Sequence, residues 1–126
     1  MVFNTNEKKL QAIRQIEGLD VDAGLKTIAN MVPAYIRVLG IFVKGEGRNV
    51  GRLDEQLATD DMEAFQTTIH GYKSALSNLG AFECARLAQL LEVAAKNDDR
   101  TSIDEKLPAF KENVGKLVML LGQVLG

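Results

Sequence analysis

Histidine and cysteine each occur once in the 126 residues, proline twice and tryptophan not at all. One His and one Cys cannot assemble a His/Cys zinc cluster within the chain. Cys84 alone excludes an internal disulfide and suits a reducing cytosol. No apolar run approaches the ~18–20 residues of a membrane span, and the polar opening MVFNTNEKK does not read as a signal peptide. An excess of one charge is missing too: 15 Lys and Arg stand against 17 Asp and Glu, for a net charge of −2. A general nucleic-acid-binding role therefore lacks its electrostatic basis. Any imidazole chemistry must run through His70.

What is present is helical spacing, with no β-branched alternation above it. The length fits one domain, residues 1–126. Leu10, Ile13 and Ile16 predict a short N-terminal helix ending near Gly18. Asp20 is a good N-cap for a second helix with Val21, Leu25, Ile28 and Ala29. Pro33 suits the first turn of a third, which carries Tyr35, Ile36, Leu39, Phe42 and Val43. Gly45, Gly47 and Gly51 predict a loop or frayed turn, and the charges over 46–52 read as a solvated loop. Leu53 and Leu57 resume a short helical pattern.

A long helix is predicted from Met62 to Leu79, capped by Asp60 or Asp61 and broken at Gly80. The next runs from about Ala81 to Lys96. After a turn at Asn97, Asp98 and Asp99, Thr101 or Ser102 caps a final helix, with a kink or a later start at Pro108. Short connections favour antiparallel neighbours. The expected fold is all-α: an antiparallel up-and-down four-helix bundle with additional short N-terminal helices.

On a helical wheel with His70 at zero, Glu63, Gln66, Thr67, Lys73, Ser74 and Ser77 lie within ~60° of it, at ~100° per residue. Phe65, Ile69, Tyr72, Leu76 and Leu79 cluster from ~100° to ~180° away. His70 thus sits in the middle of a polar stripe. Lys73 stands one turn on, where its ammonium can reach an anion attached to the ring. Gly71, Ser74 and Ser77 leave the surface around the imidazole open to another protein. Cys84 reads as an inert packing residue.

The segment IHGYKSALSNLGAFECARLAQLLEVA resembles the histidine-containing phosphotransfer (HPt) domain of multistep phosphorelays, with its motif HxxKGSAxxxG and a later LE pair. His70 matches the phosphoacceptor, Lys73 the lysine one turn later, Asn78, Leu79 and Gly80 the helix end, and Leu91–Glu92 the LE pair. GLDVDAGL and YIRVLGIFV look like the family's opening helices, so the resemblance spans about Glu17 to Gly122. Two positions depart from it. Ser74 replaces the usual glycine, and either hinders partner approach or donates a hydrogen bond to the phosphoryl group. Leu76 is larger than the small residue expected, but falls on the buried side.

The resemblance implies that Nε2 of His70 takes a phosphoryl group from the aspartate of one receiver domain and passes it to another. Lys73 would supply positive charge to the phosphoryl oxygens, and Glu92 would orient the ring through its other nitrogen. Gln89, Glu92 and Lys96 form one polar stripe predicted to face His70 from the neighbouring helix. Gly71, Ser74, Ser77, Gln89 and Lys96 are the expected partner-binding residues. No cofactor is expected on this chain, and Mg²⁺ would belong to the receiver. The implied partners are response-regulator receivers or a hybrid sensor histidine kinase, with no nucleic acid and no membrane contact. The expected state is a cytoplasmic monomer, or the cytoplasmic part of a membrane-bound sensor kinase. The apolar pattern reaching Gly126 fits a module excised from such a protein.

Three rivals remain. A histidine-kinase dimerisation domain would place an acidic residue after the histidine and a proline soon afterwards. Here Gly71 follows, and no proline lies between Pro33 and Pro108. The chain also lacks a Gly-rich phosphate loop. A helical adaptor bundle would leave His70 incidental. A hydrolase lacks any GxSxG elbow.

Overall fold

The computed structural model describes residues 5–126, which are helical and carry no strand. Residues 1–4, the start of the polar opening stretch, lie outside the described residues. The helices are α1 (Thr5–Ile13), α2 (Val21–Lys26), α3 (Val32–Lys44), α4 (Gly51–Ala58), α5 (Met62–Leu79), α6 (Phe82–Lys96) and α7 (Arg100–Leu125). A 3₁₀ turn, Glu46–Arg48, precedes α4. Helices α3, α5, α6 and α7 pack as a bundle in which α5 meets α6, α6 meets α7, and α3 touches both α7 and α5. The short α1 rests on α3 and α7, whereas α2 rests on α5 and α3.

Most apolar positions read from the sequence are buried, but Ala29 is exposed and Leu10 and Ile28 are only half-buried. Phe65, Ile69, Tyr72, Leu76 and Leu79 of α5 face Leu39 and Phe42 of α3, Leu91 of α6 and Phe110 of α7 within one core. Each large side chain removed from water contributes roughly 1.5–3 kcal/mol, which is why an amphipathic stripe is enough to place a helix. Pro33 stands in the first turn of α3, where its missing N–H costs nothing.

Helix ends show the sharpest sequence logic. Asp20 caps α2 by accepting from the Ala23 N–H at 3.0 Å, and Asp61 caps α5 through the Ala64 N–H at 3.1 Å. At the other end of α5, Gly80 adopts φ +90. Its N–H and that of Ala81 return to the carbonyls of Ser77 and Leu76, a Schellman closure. A Cβ there would sit 2.1 Å from the Asp20 carbonyl oxygen, so only glycine fits. Asp60 and Asp98 also take positive φ and end α4 and α6. In both cases the next aspartate then caps the following helix.

Several predicted boundaries shift. The first α-helix ends at Ile13, with turns carrying the chain on to Leu19. The second ends at Lys26, leaving Ala29 at positive φ outside it. Asp99, not Thr101 or Ser102, caps α7: its carboxylate accepts from both the N–H and the hydroxyl of Ser102. An aspartate already in place leaves the hydroxyl residues inside the first turn. The helix then runs unbroken through Pro108, so no later start occurs. Packing of Ile103, Leu107 and Phe110 into the core outweighs the one backbone hydrogen bond a proline forfeits.

Candidate functional site

The tight α5–α6 turn sets the site. His70 lies eleven residues before Ala81 and Glu92 eleven after it, so an antiparallel hairpin brings the two side by side. His70 is exposed, its side chain 60% accessible, while the Glu92 side chain is only 4% accessible. His70 Nδ1 and Glu92 Oε2 are 2.5 Å apart. Lys73, one helical turn beyond His70, donates from Nζ to the other oxygen, Glu92 Oε1, at 2.6 Å.

A buried carboxylate needs compensation, because removing it from water costs several kcal/mol. Both of its oxygens have a donor here. Burial pushes the Glu92 carboxyl upward, but the hydrogen bonds and charges of Lys73 and His70 outweigh it and hold the carboxyl below the ordinary glutamate range. The remaining buried residues of α6 are apolar, so Glu92 is the polar exception on that face. With Glu92 ionised, Nδ1 carries the proton that bridges them. In the neutral ring Nε2 is then the nitrogen left with a free lone pair, the arrangement a nucleophile requires.

The other candidates divide. Gly71, Ser74 and Ser77 are exposed along the His70 face of α5, and a Cβ added at Gly71 would meet nothing within 4 Å. The surface over the imidazole is therefore open. Of the predicted α6 stripe, only Glu92 turns inward to His70. Gln89 and Lys96 lie exposed beside it, one turn away on either side. The stripe is real, but its centre is buried and its flanks face water. Cys84 is buried, and burial with the nearby Glu83 charge pushes its thiol up to about 11, consistent with an inert packing residue.

The periodicity did not reveal a cleft of about 600 Å³ along α5, lined by Thr67, Thr68, Gly71 and Tyr72 and, opposite, by Asn49 and Arg52. The segment 46–52, expected to be a solvated loop, forms this second wall. Its Glu46 carbonyl accepts from the Tyr72 hydroxyl, and Gly47 is buried. Gln56 of α4, which also lines the cleft, donates to Thr68 at 2.9 Å. No wheel of a single helix can show this wall, because it forms only where α4 and the 46–52 segment pack beside α5.

Among the described residues no group of His, Cys, Asp and Glu could hold a metal ion, and no helix is long and apolar enough to cross a membrane. A family model described as the Hpt domain matches residues 37–123, more than half of the chain. Neither the curated proteins nor the solved structures yield a match.

Proposed function

Because the chain belongs to the histidine-containing phosphotransfer (Hpt) family, we propose that it carries a phosphoryl group on His70 between the aspartates of two receiver domains. Hpt domains serve phosphorelays as phosphocarriers and have no kinase activity of their own. The supporting observation is the exposed ring of His70 with Nδ1 held by a buried carboxylate.

In this reading the neutral imidazole attacks phosphorus through the Nε2 lone pair while the bond between phosphorus and the receiver's aspartate breaks. That bond's electron pair returns to the aspartate as a carboxylate. The ring keeps its Nδ1 proton and becomes a phosphoimidazolium, whose positive charge faces the Glu92 carboxylate. Phosphoryl transfer depends mainly on in-line positioning and charge stabilisation, and Glu92 serves both by fixing the tautomer and the ring angle. Lys73 is the cation within reach of the transferred group.

The face formed by Gly71, Ser74 and Ser77, flanked by Gln89 and Lys96, receives the partner. That partner is the receiver of a response regulator or of a hybrid sensor histidine kinase, and it brings its own Mg²⁺. The chain needs no cofactor and acts as a monomer on the cytoplasmic side. Incubation with a phosphorylated receiver should transfer an acid-labile, alkali-stable label to the wild type. His70→Gln should receive none; label on that variant, or none on the wild type, contradicts the proposal.

A further inference from the structure

The Lys73 ammonium is not waiting over the imidazole. It is held at 2.6 Å by Glu92 Oε1, on a side chain 27% accessible against 4% for Glu92. The same carboxylate holds His70 through its other oxygen. One buried anion thus orients the nucleophile and retains the cation that the phosphorylated ring would attract. The ammonium has three N–H donors, but its charge is shared with Glu92. Any shift of Nζ toward the phosphoryl oxygens lengthens the 2.6 Å bond and leaves a buried carboxylate oxygen short of a donor.

We propose that Glu92 competes with the phosphoryl group for Lys73, and that this exchange limits how strongly His70 retains the phosphoryl group. Two changes offset one another on phosphorylation. The ring becomes cationic and compensates Glu92 from one side, as Lys73 shifts toward the new phosphoryl charge on the other. The phosphohistidine is therefore less stabilised than a free lysine one turn away would make it, which keeps the group transferable to the next acceptor. This inference rests on His70 being the phosphoacceptor and assigns Glu92 a role in addition to orienting the ring.

The test needs no receiver. Phosphoramidate transfers its phosphoryl group to Nε2 as its own P–N bond breaks and ammonia leaves, so a fixed phosphoramidate-to-ammonium ratio sets an equilibrium phosphohistidine fraction, read by ³¹P NMR. Lys73→Ala should lower the phosphohistidine-to-histidine ratio only slightly when Glu92 is present. In the Glu92→Gln background, where the lysine is released, the same substitution should lower it by about tenfold, the scale of one charge-assisted hydrogen bond. An equal or larger effect of Lys73→Ala in the presence of Glu92 would overturn the competition. Absence of phosphohistidine on the wild type would instead overturn the assignment of His70. Should Glu92→Gln prove unfolded by circular dichroism, the wild type decides alone. The cross-hydrogen-bond coupling between Lys73 Nζ and the Glu92 carboxylate must weaken on phosphorylation, and an unchanged coupling contradicts the proposal.

Discussion

The Tyr35 hydroxyl on α3 donates to the carbonyl of Leu79, the last residue of α5, at 2.8 Å inside the core. That bond ties α3 to the helix carrying His70, next to the Gly80 turn that determines which residue of α6 meets the imidazole. Burial, reinforced by the Asp20 charge and opposed by Arg14, pushes the phenol up to about 12. Tyr35→Phe should cost about 1–2 kcal/mol in urea unfolding, because the Leu79 carbonyl loses a buried donor.

The same hydroxyl predicts an alkaline limit. A phenol whose folded value exceeds its unfolded value of 10.0 stabilises the fold fully below that pH, and this stability is lost as pH rises through about 12. Tyr72 behaves likewise, through burial and the Glu46 charge against the opposing Arg52. Stability should fall between these two values in the wild type and fall less steeply in Tyr35→Phe, followed by far-UV circular dichroism.

Glu92 sets the acid limit, with the opposite sign. Its carboxyl titrates below the ordinary 4.5 in the fold. Its stabilisation is therefore present above that value and is lost as pH falls through the lowered one. Unfolding free energy should decline on acidification below this point in the wild type. In Glu92→Gln, which has no carboxylate to protonate there, the decline should be shallower. Equal slopes would contradict the ion-pair account.

Two glycines on α5 and its end should respond in opposite ways. Gly80→Ala forces a Cβ against the Asp20 carbonyl at positive φ, and should destabilise by several kcal/mol or prevent folding, on the order of other strained backbone positions. Gly71→Ala adds a methyl group where nothing stands within 4 Å and should stabilise the helix by roughly 0.5–1 kcal/mol. A bulky Gly71→Trp should depress labelling by a phosphorylated receiver far more than labelling by phosphoramidate, because only the receiver needs the open face. Thermal unfolding and the paired labelling reactions check these outcomes.

The sequence made the helices legible because each needed only a local signal, such as Asp20 and Asp61 at N-caps, Pro33 in a first turn and Gly80 at a left-handed end. The wheel placed His70 on the open face and the hairpin register brought Glu92 to it. What it left out were relationships between helices. Glu92 reads as part of a polar stripe with Gln89 and Lys96, yet it is buried, because α5 covers that face and supplies the donors. The cleft wall at 46–52 was hidden for the same reason, since the Glu46 carbonyl acquires its role only when the Tyr72 hydroxyl reaches it, and Gly47 is crowded by Phe42 and Val118 from other helices. Thr101 and Ser102 read as caps from their side chains alone, but Asp99, two and three residues earlier, starts the helix and accepts from the Ser102 N–H and hydroxyl.

The central claim is that one imidazole, its Nδ1 held by Glu92, carries the phosphoryl group on Nε2. Two-dimensional ¹⁵N NMR of the phosphorylated protein tests it most directly, because the single histidine gives one pair of ring signals. The account predicts phosphorus coupling on Nε2 of His70 and a proton on Nδ1 hydrogen-bonded to Glu92. Phosphorus coupling on Nδ1, or ring signals unchanged by treatment with a phosphorylated receiver, would contradict it.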